Sequence, residues 1–282
     1  RHALPRGPAR YNEAMIYLDN NATTAADPAV RDAMWPFLGE SYGNPSSGHR
    51  FGQEARQAVE QARHQVADLL GCEPREVIFT SGGTESDNAA IHGALAARPA
   101  RRLIVTTAVE HSAVREPIAA LERGAGGAAA YEVLRLAVDQ AGALDTSPLE
   151  QMLRQQPGAG AATGGGGPTK SGIALVSIMW ANNETGVIFD VGRIGALCRE
   201  AGVTFHVDAV QVGGKMPVRL RDMPIYLLSV SAHKFHGPKG VGALVVKRSV
   251  GSGGAKWQSW VLGGPQERDR RGGTENVAGI VG

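Results

Sequence analysis

The sequence predicts an α/β protein built on one mainly parallel central sheet with helices on both faces. Short β-rich runs recur along the chain, most of them separated by helix-like stretches, which is the alternation of βαβ units. The runs are apolar throughout rather than alternating, as strands are when both sheet faces are covered. Four polar clusters fall where apolar runs end, and in a doubly wound sheet ligands sit beyond the carboxyl ends of the strands.

Residues 1–14, "RHALPRGPARYNEA", are polar and Pro-rich and contain no apolar h-region, so they do not read as a signal peptide. They are expected to be a disordered extension, because the first strand-like segment starts at Met15 with "MIYLDNNATT". The clearest helix is "FGQEARQAVEQARHQVADLLG": Phe51, Ala55, Val59, Ala62, Val66 and Leu69 recur at three- and four-residue steps, and Gly71 closes the segment. The β-rich runs follow as "EVIFTS", "RLIVTTA", "YEVLRLAV", "IALVSIMW", "VTFHVDAV", "YLLSVSAH" and "GALVVKR", with helix-like stretches such as "GRIGALCREAG" between most of them. Residues 157–172, "PGAGAATGGGGPTKSG", break the pattern and read as a flexible, Gly-rich surface insertion. This stretch nearly mimics a phosphate loop, but Thr169 stands where the motif requires its second glycine and no strand leads directly into it.

The chain has 282 residues, room for one large α/β domain or a large domain and a small one. A formal net charge of +2 makes no electrostatic case for nucleic acid or an anionic membrane. No apolar run is long enough to span a bilayer. Cys72 and Cys198 lie far apart with no CxxC, so they give no disulfide framework and fit a reducing cytosol.

The polar clusters carry the chemistry. In "FTSGGTESDN" a strand ends at Thr80, a Gly-rich turn follows and a helix begins near Thr84. Backbone N–H groups at that helix start, with a hydroxyl, make an anion seat; an ordinary N-cap with a tight turn reads the same way. The stretch lacks G-x-G-x-x-G, which favours a phosphate over a pyrophosphate. In "TTAVEHSAV", His111 stands just past a strand; a lone His is more often structural, and its place at a strand's carboxyl end raises the functional odds. In "FHVDAVQ", Asp208 sits near the end of an apolar strand, where a carboxylate is costly without a cationic partner: a protonated pyridine nitrogen, an Arg or a metal. His206 and Asp208 share a strand face, but no third metal ligand is evident. In "SVSAHKFHGPKG", Lys234 closes another strand between His233 and His236. A desolvated lysine near cations has a lowered pKa and is a Schiff-base nucleophile for an aldehyde; the competing reading is a lysine snorkelling to the surface. Together these are the parts pyridoxal phosphate needs: a phosphate cradle, an acid for the pyridinium nitrogen, a ring-stacking partner and a lysine for the aldehyde.

From Met15 onward the chain resembles the cysteine desulfurases of the class V aminotransferase family, pyridoxal-phosphate enzymes of fold type I. The matching stretches are "YLDNNATT", "YGNPSSGHRFG", "EVIFTSGGTESDNAAI", "VEHSAV", "VSIMWANNETGV", "HVDAVQ", "SAHKFHGPKGVGAL" and "QERDRRGGTEN", in family order. "DNNATT" and "MWANNETG" look most like the nitrogen-fixation type. The resemblance implies that Lys234 holds pyridoxal 5′-phosphate and moves the α-proton. Asp208 would pair with the pyridine nitrogen, His111 would stack on the ring and assist proton transfer, and Gln211 would reach the phenolic oxygen. Gly83, Thr84, Ser231 and His233 would hold the phosphate, and Asn183 would contact the substrate carboxylate. Thr274 would reach the phosphate of the partner subunit in a homodimer.

Such a site converts L-cysteine to L-alanine, leaves the sulfur as a persulfide, and passes it to an iron–sulfur scaffold or another sulfur acceptor protein in the cytoplasm. Residues 15–262 would be the cofactor-binding large domain, and 263–282 would open the link toward a C-terminal small domain. The family's nucleophilic cysteine and its carboxylate-clamping arginine lie beyond "GGTEN", and neither Cys72 nor Cys198 matches the nucleophile's place. The chain stops at "ENVAGIVG", inside a helical pattern, so a fragment is expected. Two other readings stand beside this one: a selenocysteine lyase or another class V enzyme, and a truncated chain that binds cofactor without turnover.

Overall fold

The computed structural model describes residues 16–124, 130–155, 172–248 and 256–282. In chain order the elements are α1 (Pro28–Met34), α2 (Arg50–Leu70), β1 (Val77–Thr80), α3 (Gly83–Ala96), β2 (Leu103–Thr107), α4 (Ser112–Glu122), β3 (Glu132–Leu136) and α5 (Ser147–Arg154). There follow β4 (Ile173–Met179), α6 (Val191–Glu200), β5 (Phe205–Asp208), β6 (Leu227–Ser231), β7 (Gly242–Val246), the short turn α7 (Gln266–Asp269) and α8 (Val277–Val281). Each β-rich run of the sequence is a strand. The sheet order is β1-β7-β6-β5-β4-β2-β3. β7 runs antiparallel to both its neighbours, and the other pairings are parallel.

Successive strand residues feed opposite faces, the two-residue period of a pleated strand. Phe79, Val105, Val207 and Val245 join the core beneath α2, α5 and α6, while Ile78, Ile104, Leu175 and Leu244 pack against α3 and α4. Both faces are therefore dry, which is why the strands read as unbroken apolar runs.

Helix α2 ends where the glycine signal placed it. Gly71 adopts φ +61°, and its N–H closes on Ala67 and Asp68 carbonyls. A Cβ at Gly71 would meet Arg219 Cα at 2.9 Å. The predicted apolar stripe is shifted, however. Ala55, Val59 and Ala62 are buried, but Phe51 and Leu69 are exposed at 52% and 45%. Those two lie five helical turns apart and so share one edge of the stripe; the true centre lies toward Arg63 and Leu70, both buried. The expected strand near Met15 also differs. Ile16–Asp19 form no strand, because the segment that follows crosses the loop after β6 and spends its polar groups there. Thr24 N donates to His233 O at 2.8 Å, and His236 N donates to Thr24 Oγ1 at 2.7 Å.

Residues 263–282 pack on the same body. Ile280 joins the core cluster, and α8 lies against α1 and α2. The expected extension at 1–14 and the Gly-rich insertion at 157–171 lie outside the described residues.

Candidate active site

The carboxyl ends of β4 and β5 are level, with Met179 paired to Asp208, and β6 runs two residues past the Asp208–Ser229 pair to Ser231. A cavity of about 200 Å³ opens there. The start of α3 supplies Gly83 and Thr84 to its wall, the start of α4 supplies His111, and the loop after β4 supplies Asn183. Asp208 and Gln211 come from β5 and the turn after it, and Ser231, His233 and Lys234 from the end of β6. Nine residues singled out from the sequence thus meet in one cavity. Thr274 is the exception, and it lines none of the cavities described for the molecule.

The amino end of α3 is built as an open anion seat. Its N-cap is Gly82, with φ +145° and no side-chain cap. A Cβ on Gly83 would stand 2.8 Å from Val210 Cγ2 and 3.6 Å from Ser231 Cβ, so only glycine lets the helix start come this close to the β5 and β6 ends. The uncapped N–H groups of the first turn and the helix dipole then face the cavity.

Asp208 is 6% exposed. Its Oδ1 accepts from Val210 N at 2.9 Å. Burial raises its pKa on balance, with the Val210 hydrogen bond and the nearby His111 and Lys234 partly offsetting the rise. Burial lowers the pKa of Lys234, with Lys215 adding to the effect and Asp208 and Asp19 opposing it. The Lys234 ammonium donates to the carbonyl of Asn21, which also accepts from Gln211 Nε2 at 2.9 Å. Lys215 Nζ holds Gln211 Oε1 at 2.9 Å. His111 caps α4 by accepting from Ala113 N through Nδ1 at 3.2 Å, so the structural and the functional readings of this residue are compatible. His233 Nδ1 lies 3.1 Å from Thr23 Oγ1.

Sequence reasoning passed over two parts of the wall. Ala22 lines the cavity, and Asn21 fixes Lys234 and Gln211; both lie in "DNNATT", a match that had been assigned no role. Asp87 also lines it. Its signal was the spacing, since Gly83 and Asp87 are four apart and share a helix face. Asp87 is 1% exposed, and neither of its oxygens makes a hydrogen bond of good geometry among the described residues, the Ser229 hydroxyl being near enough only to ease its burial. Burial, then the charge of Asp208, pushes its pKa well up. Behind it, His206 Nε2 lies 3.5 Å from Asp87 Oδ1 and 3.0 Å from Ser229 Oγ, and His206 Nδ1 lies 2.8 Å from Ser177 Oγ. Burial lowers the His206 pKa to about 3, so this imidazole is neutral and serves as a buried spacer beneath the site.

Cys72 and Cys198 are free and buried, and neither borders this cavity. Burial pushes the Cys72 thiol up to about 12 and raises that of Cys198 as well, so both are protonated near neutral pH.

A buried acid that no described residue holds in a salt bridge, a lysine of lowered pKa across from it and a glycine-lined helix start together suit an anionic, ring-bearing aldehyde cofactor. The residues present fit pyridoxal 5′-phosphate. The chain belongs to the class-V aminotransferase family, whose model matches residues 16–166 and 167–282. It is 49% identical over 268 residues to cysteine desulfurase 2 of Trichormus variabilis, covering 95% of this chain and 61% of that one. A cysteine desulfurase of Bradyrhizobium diazoefficiens is 49% identical over 272 residues, covering 96% and 63%. Among solved structures, a NifS-like protein superposes with TM-score 0.79 at 39% identity, over 94% of this chain and 67% of that one. SspA in complex with cysteine gives 0.81 at 32%, over 94% and 70%. The chain therefore spans about three fifths of the length of these curated relatives.

Proposed function

We propose that the chain binds pyridoxal 5′-phosphate in the cavity at the ends of β4, β5 and β6, and that the protein is a cysteine desulfurase acting on L-cysteine. The observation that most supports this is the meeting of Lys234, Asp208, His111 and the Gly83 helix start in one cavity. The cofactor, when bound, supplies an electron sink for the substrate α-carbon. The lowered pKa of Lys234 gives its Nζ a neutral form able to take an aldehyde and then to carry the α-proton. Asp208 holds negative charge at the floor, where a pyridinium proton would face it. His111 offers a flat wall and Gln211 an amide for the phenolic oxygen. Gly83, Thr84, Ser231 and His233 form the phosphate seat, and Asn183 contacts the substrate carboxylate.

The sulfur-accepting thiol is neither Cys72 nor Cys198, because both are buried, protonated and away from the cavity. Iron–sulfur cluster assembly in the cytoplasm is the destination this reading assigns to the sulfur. The protein works as a homodimer in which Thr274 completes the partner's phosphate seat. Its position outside this chain's own cavities, and the exposed Trp35, Leu38 and Tyr42, support that assembly.

Borohydride treatment of protein loaded with pyridoxal phosphate should fix the cofactor to the peptide holding Lys234. Label on Lys215 or Lys239 instead would sink the assignment. Mixing Thr274→Ala chains with Lys234→Ala chains tests the assembly: a mixed dimer should hold one intact site and one doubly defective site. Two singly defective sites would return Thr274 to its own subunit.

A further inference from the structure

Glu110 stands behind the wall of the cofactor cavity and does not line it. Its Oε1 accepts from Thr107 Oγ1 at 2.7 Å and from Met179 N at 3.1 Å, so one oxygen bridges the ends of β2 and β4. A second tie runs alongside, from Asn182 Nδ2 to Val109 O at 3.2 Å. The two segments joined in this way carry His111 and Asn183, the candidate ring-stacking residue and the candidate substrate contact.

The other oxygen, Oε2, is buried and has no hydrogen bond among the described residues. Glu110 borders a second cavity of about 450 Å³, which shares His111 and Asn183 with the cofactor cavity. The charged and titratable groups that face it are Asp208 and Asp87 from the cofactor cavity, His111 next to it in the chain, and Arg115 of α4 and Glu184 on the rim of the second cavity. Arg115 is engaged with Glu116 at 3.1 Å. Among the described residues no cation is bonded to Glu110, and Asp208 already carries the charge that the cofactor reading requires. Two like charges in one dry region cannot both be held cheaply.

We propose that Glu110 is a positioning residue working as a neutral, proton-bearing acid, tying the strand end that carries His111 to the strand end that carries Asn183 without adding a second negative charge beside Asp208. This rests on the cofactor reading of the neighbouring cavity. Burial supports it by holding the Glu110 carboxyl up at about 8, against the hydrogen bonds from Thr107 and Met179 and with Asp208 adding to the rise.

The test compares wild type with Glu110→Gln and Glu110→Ala by two readouts. The first is unfolding by urea at several pH values. A carboxyl whose folded pKa is raised loses its unfolded-state proton first as pH rises, so its cost grows until the folded group also ionises. The ratio of wild-type to Glu110→Gln unfolding constants should therefore widen by at least about tenfold between about pH 5 and about pH 8, then level off. A ratio that stays flat with pH would mean that Glu110 is already an anion, and would overturn the proposal.

The second readout is the affinity for pyridoxal phosphate near neutral pH. Glu110→Gln, a neutral group of the same shape, should stay within about threefold of wild type, whereas Glu110→Ala, which removes the bridge, should lose about tenfold. Equal affinities for the Gln and Ala variants would remove the positioning role. If Glu110→Ala does not fold, Thr107→Val, which deletes a donor to the bridge, replaces it in the comparison. Failure of wild type to bind pyridoxal phosphate would defeat the cofactor reading, while the stability arm would still decide whether the acid is neutral.

Discussion

Glu267 and Asp208 are both buried carboxyls, 5% and 6% exposed, and the fold treats them in opposite ways. At the β1 edge, Arg63 of α2 delivers Nη1 and Nη2 to the two oxygens of Glu267 at 2.7 and 2.6 Å, and Phe79 N adds a third hydrogen bond at 2.8 Å. That clamp holds a turn in which Glu267, Arg268 and Asp269 all have positive φ, a conformation that costs about 1–2 kcal/mol per residue. At the β5 end, Asp208 has one backbone donor and, among the described residues, no arginine, and its neighbours His111 and Lys234 line a cavity with it. A buried acid closed on a built-in arginine is part of the framework. A buried acid left facing a cavity is a candidate partner for a cationic group from outside, the role proposed for Asp208.

The contrast can be broken most severely at the clamp. Arg63→Met leaves Glu267 buried and unpaired, and should cost about 3–5 kcal/mol of stability in urea unfolding. Adding Glu267→Gln should restore much of that loss. A single-variant cost below about 1 kcal/mol would mean the clamp is not structural. Asp208→Asn should do the reverse: stability should change by no more than about 1 kcal/mol, while affinity for pyridoxal phosphate falls about a hundredfold. Unchanged affinity and absorption spectrum would show that the carboxyl does not serve the ring.

Asp87→Asn sharpens the comparison from the third acid. Its folded pKa is raised, so its cost is absent below the unfolded pKa and grows as pH rises above it. The variant should be more stable than wild type by about 1–2 kcal/mol near neutral pH, and the gain should vanish near pH ~3. A gain that persists in acid would point to packing rather than charge. The smallest effect is expected at Gly83→Ala, whose Cβ would meet Val210 Cγ2 at 2.8 Å. Separating α3 from β5 there should weaken cofactor binding a few-fold, about 1 kcal/mol, with little change in melting temperature.

The strands were legible because both sheet faces are dry, and their ends pointed to the site because ligands gather at strand ends. Lys234, Asp208 and His111 could be picked out individually, since each is a polar group placed where an apolar run stops. Asp87 and Glu110 escaped notice although both sit inside quoted motifs. In sequence an acid within a helix or a loop is unremarked, and only burial without a cation makes it notable. Arg63 escaped for the same reason: its partner lies 204 positions away, beyond any local pattern.

By itself the sequence determined the alternation of strands and helices, the stop at Gly71 and the set of polar residues at strand ends. Those follow from short-range causes: side-chain periodicity, the left-handed turn that glycine permits, and the cost of polar groups in apolar runs. The tertiary structure alone decided the rotation of α2 that exposes Phe51 and buries Arg63, the crossing of "DNNATT" over the β6 loop, and which buried acids received an arginine. Those outcomes depend on which distant surfaces meet, because desolvation and pairing of a charge are settled by neighbours in space rather than by neighbours in the chain.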